Sequence, residues 1–65
     1  MTLIKDYDLF NKELNKGFIK DEVRQVTDTQ RNIIYRSINN LGSIVAYYLD
    51  HGKGYKFLSA TLISK

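Results

Sequence analysis

The sequence predicts a small α+β fold in which three helices are followed by a β-hairpin. Three observations support this prediction. Apolar residues recur at helical spacings through residues 3–41, the composition becomes β-branched and aromatic at Ile44–Leu49, and a glycine-rich segment at 50–54 precedes a second strand-like run. The length of 65 residues suits one domain, residues 1–65, and is too short for two.

The first helix is predicted over Leu3–Lys16. Its apolar residues are spaced by four, three and four positions, which places them on one helix face: Leu3, Tyr7, Phe10 and Leu14. Gly17 is a typical helix-ending residue. The pair that follows, Phe18 and Ile19, is too short for an element and is expected to be an extended link.

A second, shorter helix is predicted over Lys20–Thr27. Asp21 and Glu22 suit the positive N-terminal end of a helix, and Val23 and Val26 are three positions apart, so they would face inward together. This segment would be the first helix of a helix-turn-helix pair.

The third helix is predicted over residues 29–41. Asp28 or Thr29 can cap it, and Gly42 can end it. Three aliphatic residues at helical spacing are expected to be core: Ile34, Ile38 and Leu41. The opposite face is polar, with Gln30, Arg31, Asn32, Tyr35, Arg36 and Asn39.

A β-hairpin is predicted over residues 44–58. Ile44–Leu49 is β-branched and aromatic, Asp50–Gly54 is a glycine-rich turn, and Tyr55–Leu58 is again strand-like. Three placements stay open for Ala60–Ile63: an extension of the second strand, packing on the first helix, or contact with another subunit.

The charge changes sign along the chain. Residues 1–28 carry five basic and six acidic side chains, a net charge of −1, whereas residues 29–65 carry five basic side chains against Asp50 alone, a net charge of +4. A polyanion is expected to bind the second half.

Composition argues against several chemical functions. The chain has no cysteine, so disulfides, thiolate zinc sites and a cysteine nucleophile are excluded, and a reducing cytoplasm is compatible. Its single histidine, His51, lies in the predicted turn beside Asp50, so neither catalysis nor a metal site is expected, and no cofactor is implied. The longest apolar run, Ile44–Leu49, is far shorter than a membrane span, and the first residues lack a secretory pattern, so a cytoplasmic protein without a membrane partner is predicted.

Two segments carry a resemblance to a known family. Thr29–Leu41 resembles, without a gap, the recognition helix of the biotin-operon-repressor type of bacterial winged helix, whose usual pattern is Val-Ser-Arg-Arg-Thr-Val-Tyr-Arg-Asp-Ile-Asn-x-Leu. Gly52–Phe57 is similar to that family's wing, which ends Gly-Arg-Gly-Tyr-x-Leu. Phe18–Val23 is similar to the segment that leads into its second helix.

This resemblance implies a winged helix-turn-helix that binds double-stranded DNA, with helix 29–41 in the major groove and wing 44–58 on the DNA backbone. The implied function is transcription regulation by a small protein of phage, plasmid or other mobile-element origin. The expected DNA-binding residues are Gln30, Arg31, Asn32, Tyr35, Arg36, Asn39, His51, Lys53 and Lys56.

Two other functions compete with duplex DNA binding. The aromatic residues Tyr47, Tyr48, Tyr55 and Phe57 suit stacking on single-stranded bases, although a small core also needs such residues. A winged helix also serves as a protein-binding module, here as a small inhibitor of a host enzyme or polymerase. Because so short a chain buries little apolar surface, a homodimer is a further open possibility.

Overall fold

The structure is a computed structural model that describes residues 1–64. Over this range the chain forms five strands and one helix, in the order β1 (Thr2–Ile4), α1 (Tyr7–Leu14), β2 (Phe18–Gln25), β3 (Gln30–Ser37), β4 (Gly42–Asp50) and β5 (Tyr55–Ser64). The described residues contain no helix long and apolar enough to cross a membrane.

All five strands belong to one antiparallel sheet, ordered β1-β5-β4-β3-β2. Strands β2 to β5 are joined consecutively as a meander, while β1 lies at the far edge beside β5. The single helix α1 packs against one side of the sheet, which we call the helix face. The other side, which we call the open face, has no element packed on it among residues 1–64.

The core lies between α1 and the helix face. Phe10, at the middle of the helix, is 1% exposed, and its ring stacks on Phe57 at 4.8 Å and meets the edge of Tyr35 at 5.8 Å. Ala46 and Ala60 beneath are cross-strand partners with fully buried, small side chains, which leave room for these large rings. Ile4 and Ile44 complete the buried set.

The predicted three-helix winged helix-turn-helix fold is wrong. Residues 20–25 and 30–37, expected in the second and third helices, form β2 and β3, which pair with each other over seven residue pairs. Within β3, Ile33-Ile34-Tyr35 is β-branched and aromatic, and its side chains alternate between the two sheet faces. Pairing with β2 and β4 provides backbone partners on both sides of β3, so this pairing overrides the helical spacing.

The residues expected to anchor the third helix are in different places. Ile34 lies in β3 on the open face, whereas Ile38 and Leu41 lie in the β3–β4 turn and are 62% and 45% exposed. The expectation that Ile38 and Leu41 are core residues is therefore wrong. Their spacing would place them on one face only if residues 29–41 formed a helix, and these residues do not form one.

The first predicted helix is partly confirmed. It begins later than expected, because Asp6 caps it and its carboxylate accepts a hydrogen bond from the backbone N–H of Asp8 at 3.1 Å. Phe10 and Leu14 pack on the core as predicted, but Leu3 lies in β1 and is 60% exposed. The helix ends at Leu14 rather than near Gly17.

The predicted hairpin is present as β4 and β5, and Ala60–Ile63 extends its second strand. In its turn, Gly52 and Gly54 have φ of 91° and 147°, the left-handed region that favours glycine. The hairpin is not a free wing, however. Strand β4 also pairs with β3, and β5 also pairs with β1, so both strands lie inside the sheet.

Candidate functional site on the open sheet face

The open face has a defined set of side chains because strand neighbours point to opposite faces. Ile44, Ala46 and Ala60 are fully buried on the helix face, so the residues between and beside them point outward. Direct cross-strand partners share a face, which extends the assignment to the other strands. The apolar members of the open face are Leu3, Ile19, Ile34, Val45, Tyr47, Leu49 and Ile63.

These apolar residues form a continuous stripe across the sheet. Thr61 pairs with both Leu3 and Val45, and Val45 also pairs with Ile34, so the four residues form one row across four strands. Ile63 lies in the adjacent row and is 42% exposed, while Leu3 is 60% exposed. A contiguous exposed apolar patch on a small protein is typical of an interaction surface.

Charged side chains border the stripe along strand β2. Arg24 donates from Nε to Glu22 Oε2 at 2.8 Å, and Arg36 Nε lies 3.9 Å from Asp21 Oδ1. All four side chains are at least half exposed, so each pair adds little stability. Lys56 borders the other end of the stripe, as the partner of Leu49. The face thus has an apolar middle and a polar rim, which is the anatomy of a protein interface.

Folding reduces the charge asymmetry seen along the sequence at one place, where β3 meets β2. The meander places β2, which carries Asp21 and Glu22, directly beside basic β3, and the Arg36–Asp21 pair joins the two halves of opposite net charge. The +4 of residues 29–65 is therefore partly neutralised where it faces outward. This weakens the argument for a polyanion at β3.

A groove of about 450 Å³ opens at one end of this surface. Arg36, Ser43 and Ile63 of the open face contribute to it, and the β3–β4 turn closes its end. Gly42, with φ of 116°, is required here, because a Cβ would collide with the carbonyl oxygen of Ile63. The full lining is Arg36, Ser37, Asn40, Gly42, Ser43, Ile63 and Ser64.

Asn32 is the polar exception near the middle of the open face. It is the cross-strand partner of Tyr47, and its Oδ1 is buried without a hydrogen-bond donor among the described residues. Leaving a buried acceptor unsatisfied costs about 1–3 kcal/mol. A surface docked on the open face could supply the missing hydrogen-bond donor.

The sheet edges are poor docking sites by comparison. Strand β2 is exposed along one side, but a bulge between Lys20 and Glu22 interrupts its register, and charged residues occupy that segment. Bulges and charges are the usual protection of edge strands against pairing with another chain. Strand β1, at the other edge, has three residues. The open face is therefore the stronger candidate.

Tyrosine hydroxyls cluster on the helix face. Burial raises the pKa of Tyr48 well above its ordinary value, and the neighbouring Tyr35 raises it further. A side-chain hydrogen bond joins the two; it raises the pKa of Tyr48 and lowers that of Tyr35, as expected when Tyr48 donates. Burial still raises the pKa of Tyr35 overall. Both hydroxyls stay protonated at neutral pH and provide no base.

The nine residues predicted to bind DNA do not come together. Gln30, Asn32, Arg36 and Lys56 lie on the open face, whereas Arg31 and Tyr35 lie on the helix face. The other three are in turns at opposite ends of β4: Asn39 at one end, His51 and Lys53 at the other. No helix exists over 29–41 to present any of them to a groove.

Several of these side chains already have structural contacts. The Arg31 guanidinium lies 3.9 Å from the centre of the Tyr55 ring, and its Nε donates to Gln25 Oε1 at 3.2 Å. Asn39 donates from Nδ2 to the carbonyl of Lys16 at 3.2 Å, which joins the β3–β4 turn to the end of the helix segment. Among residues 1–64 no three histidine, aspartate or glutamate side chains form a group suited to a metal ion.

Sequence reasoning missed the apolar stripe itself. The available signal was the unbroken run Ile44–Leu49, because a strand that is apolar at successive positions is apolar on both faces. Only one of those faces can pack against α1. With β4 at the centre of the sheet, the other face of this run is left as a second apolar surface.

The chain matches no protein-family model, and comparisons with curated proteins and with solved structures also give no match. The resemblance to the biotin-operon-repressor type of winged helix thus gains no support from relatives, and the fold lacks the recognition helix on which it depended.

Proposed function

We propose that the protein is a non-catalytic binding module that docks on a protein surface through its open sheet face. The observation that carries the proposal is the exposed apolar stripe with a charged rim on the one broad surface that no element of residues 1–64 covers. The proposal includes a cytoplasmic location, with which the absence of cysteine is compatible.

The composition of β4 provides the energetic reason for docking on a protein. A sheet normally buries one face and exposes polar side chains on the other. Here Val45, Tyr47 and Leu49 are apolar on the exposed side of the central strand, so covering them removes apolar area from water at about 25 cal/mol per Å². Docking on a protein gains this energy, whereas the docking of a hydrated polyanion does not.

Charge favours a protein over a nucleic acid as partner. Arg24 and Arg36 are the arginines of the open face, and each lies beside a carboxylate of β2. Binding a phosphate would require these pairs to open or the carboxylates to approach the phosphate. At a protein interface the same pairs can stay intact at the rim.

The test uses single cysteines, because the chain has none of its own. Thr61→Cys places a thiol at the middle of the stripe, and Lys12→Cys places a matched thiol on the exposed side of α1. The rate of maleimide labelling is measured for each variant in dilute buffer, in concentrated solution, and in an extract of the cells that contain the protein.

We expect labelling of Thr61→Cys to slow several-fold in the concentrated solution or in the extract, while Lys12→Cys keeps its rate. Equal rates for Thr61→Cys in every condition would refute the proposal. Slowing caused by random duplex DNA alone, and lost steeply with added salt, would replace the protein partner by a nucleic acid.

A further inference from the structure

We infer that the surface covering the open face is the open face of a second copy of this chain, stacked as a two-layer sandwich with β4 on the two-fold axis. This inference rests on the proposed docking of that face and names its partner. Four observations support it: the position of β4, the arrangement of charges, the area of the face and the size of the core.

The first observation is that β4 is the central strand of five and carries apolar side chains outward. Two identical sheets can pack face to face with their strands nearly aligned. If the two-fold axis runs parallel to β4 between the sheets, β4 lies over its own copy, and Val45 and Tyr47 meet the same residues of the partner. The most apolar strand is then the most deeply covered.

The second observation is the placement of the charges. In that arrangement β3 lies over β5 of the partner, because these strands flank β4 on opposite sides. Arg36 shares a cross-strand row with Ile63 and therefore lies opposite Ile63 of the partner subunit. Lys56 shares a row with Gln30 and lies opposite Gln30 of the partner subunit. In these two rows, no basic side chain of one subunit lies opposite a basic side chain of the other.

The third observation is the size of the face. The four long strands have 8, 8, 9 and 10 residues. At about 3.4 Å per residue and about 4.8 Å between strands, they present a projected area on the order of 500 Å². The side-chain relief makes the accessible area larger than this projection. The face therefore approaches the roughly 800 Å² per partner that a stable interface buries.

The fourth observation is the small core. Among the described residues, five apolar side chains are buried, and two of them are alanines. Chains of this size commonly gain stability from oligomerisation. A sandwich dimer would add a second apolar layer, built from the open faces, to the layer already formed under α1.

The decisive comparison is a matched pair of charge insertions. Val45→Lys places a charge at the two-fold axis, and Val23→Lys places the same charge on the helix-face side of edge strand β2, where the valine is 46% exposed. Sedimentation velocity gives the mass of each variant, and far-UV circular dichroism shows whether it is folded.

We expect the wild type and Val23→Lys to be dimers and Val45→Lys to be a folded monomer, with a dimer dissociation constant raised at least about 100-fold by two opposed lysines. A dimeric Val45→Lys variant would overturn the inference. If Val45→Lys does not fold, Val45→Cys decides: oxidation should link two chains through this residue, while Lys12→Cys should stay unlinked.

The outcomes separate this inference from the function on which it rests. A wild type that stays monomeric, with Thr61→Cys protected only in the cell extract, refutes the second copy and leaves the docking face intact. Protection in neither condition refutes both. A dimer whose Val45→Cys variant does not cross-link places the interface elsewhere and refutes the sandwich.

Discussion

The two faces of the sheet use the same strands in different ways. On the helix face, Ile44 and Ala46 are fully buried under α1, whereas Val45, one position away, points outward in the same strand. The apolar character of β4 is nearly the same on both sides. The comparison shows that apolar composition alone does not identify the core, because a surface that binds another protein needs the same side chains.

The largest expected effect contrasts the two faces directly. Phe10→Ala removes the one fully buried ring of α1 and should reduce the free energy of unfolding by about 3–5 kcal/mol, enough to unfold much of a small domain. Val45→Ala should cost less in the monomer, since its side chain is only partly buried. Urea unfolding of both variants at low protein concentration checks this order, and equal losses would mean that the open face is already covered.

The next effect has the opposite sign. Asn32→Val removes a buried oxygen without a hydrogen-bond donor and introduces a strong strand former, so it should raise the free energy of unfolding by about 1–3 kcal/mol. Thermal unfolding measures the change. A destabilised Asn32→Val variant would show that the amide makes a hydrogen bond that stabilises the monomer.

The stability of the fold at alkaline pH tests the burial of Tyr48 on the helix face. The pKa of Tyr48 is raised in the folded chain above its ordinary value of 10.0, so the unfolded chain loses this proton first. Its contribution to stability is complete below pH 10 and decreases as the pH rises above 10. Tyr48→Phe should flatten the fall in melting temperature over that range, and an unchanged slope would mean that Tyr48 is not buried in solution.

The smallest expected effect concerns a residue that helical spacing had placed in the core. Ile38 is 62% exposed in the β3–β4 turn, so Ile38→Ala should change the free energy of unfolding by no more than about 0.5 kcal/mol. A loss of several kcal/mol in urea unfolding would support the predicted helix over 29–41 instead of β3.

Prediction of the fold succeeded where the information was local. Gly52 and Gly54 adopt positive φ in the turn, and the runs rich in aromatic and aliphatic residues on either side of it form strands, so the β4–β5 hairpin follows from nearby residues. The face of α1 that carries Phe10 and Leu14 was also predictable from its spacing.

Prediction failed where the information was non-local. The segments 20–27 and 29–41 have spacings that suit a helix, yet most of their residues form β2 and β3. Ile33 and Ile34 are adjacent, so they lie on opposite faces of β3, one toward α1 and one outward. A hairpin of two strands is only marginally stable by itself, so β2 and β3 depend on the pairing of β4 with β3, and no local spacing encodes that pairing.

The candidate site was likewise predictable only in part, because it depends on non-local strand pairing. Of the predicted residues, Gln30, Asn32, Arg36 and Lys56 lie on the open face, but for a reason unrelated to a recognition helix. The stripe of Leu3, Val45 and Ile34 joins residues from three separated segments. Its members become neighbours through strand pairing, so they could not be grouped from their positions in the chain.

By itself, the sequence determined the elements that depend on neighbours a few positions away: the inward side of α1, the glycine turn, and the hairpin it joins. Tertiary structure decided the rest, because a strand is stable only when its backbone groups find partners on other strands. It decided that β2 and β3 are strands, that Asp21 of β2 lies beside Arg36 of β3, and that one apolar side of β4 is left uncovered.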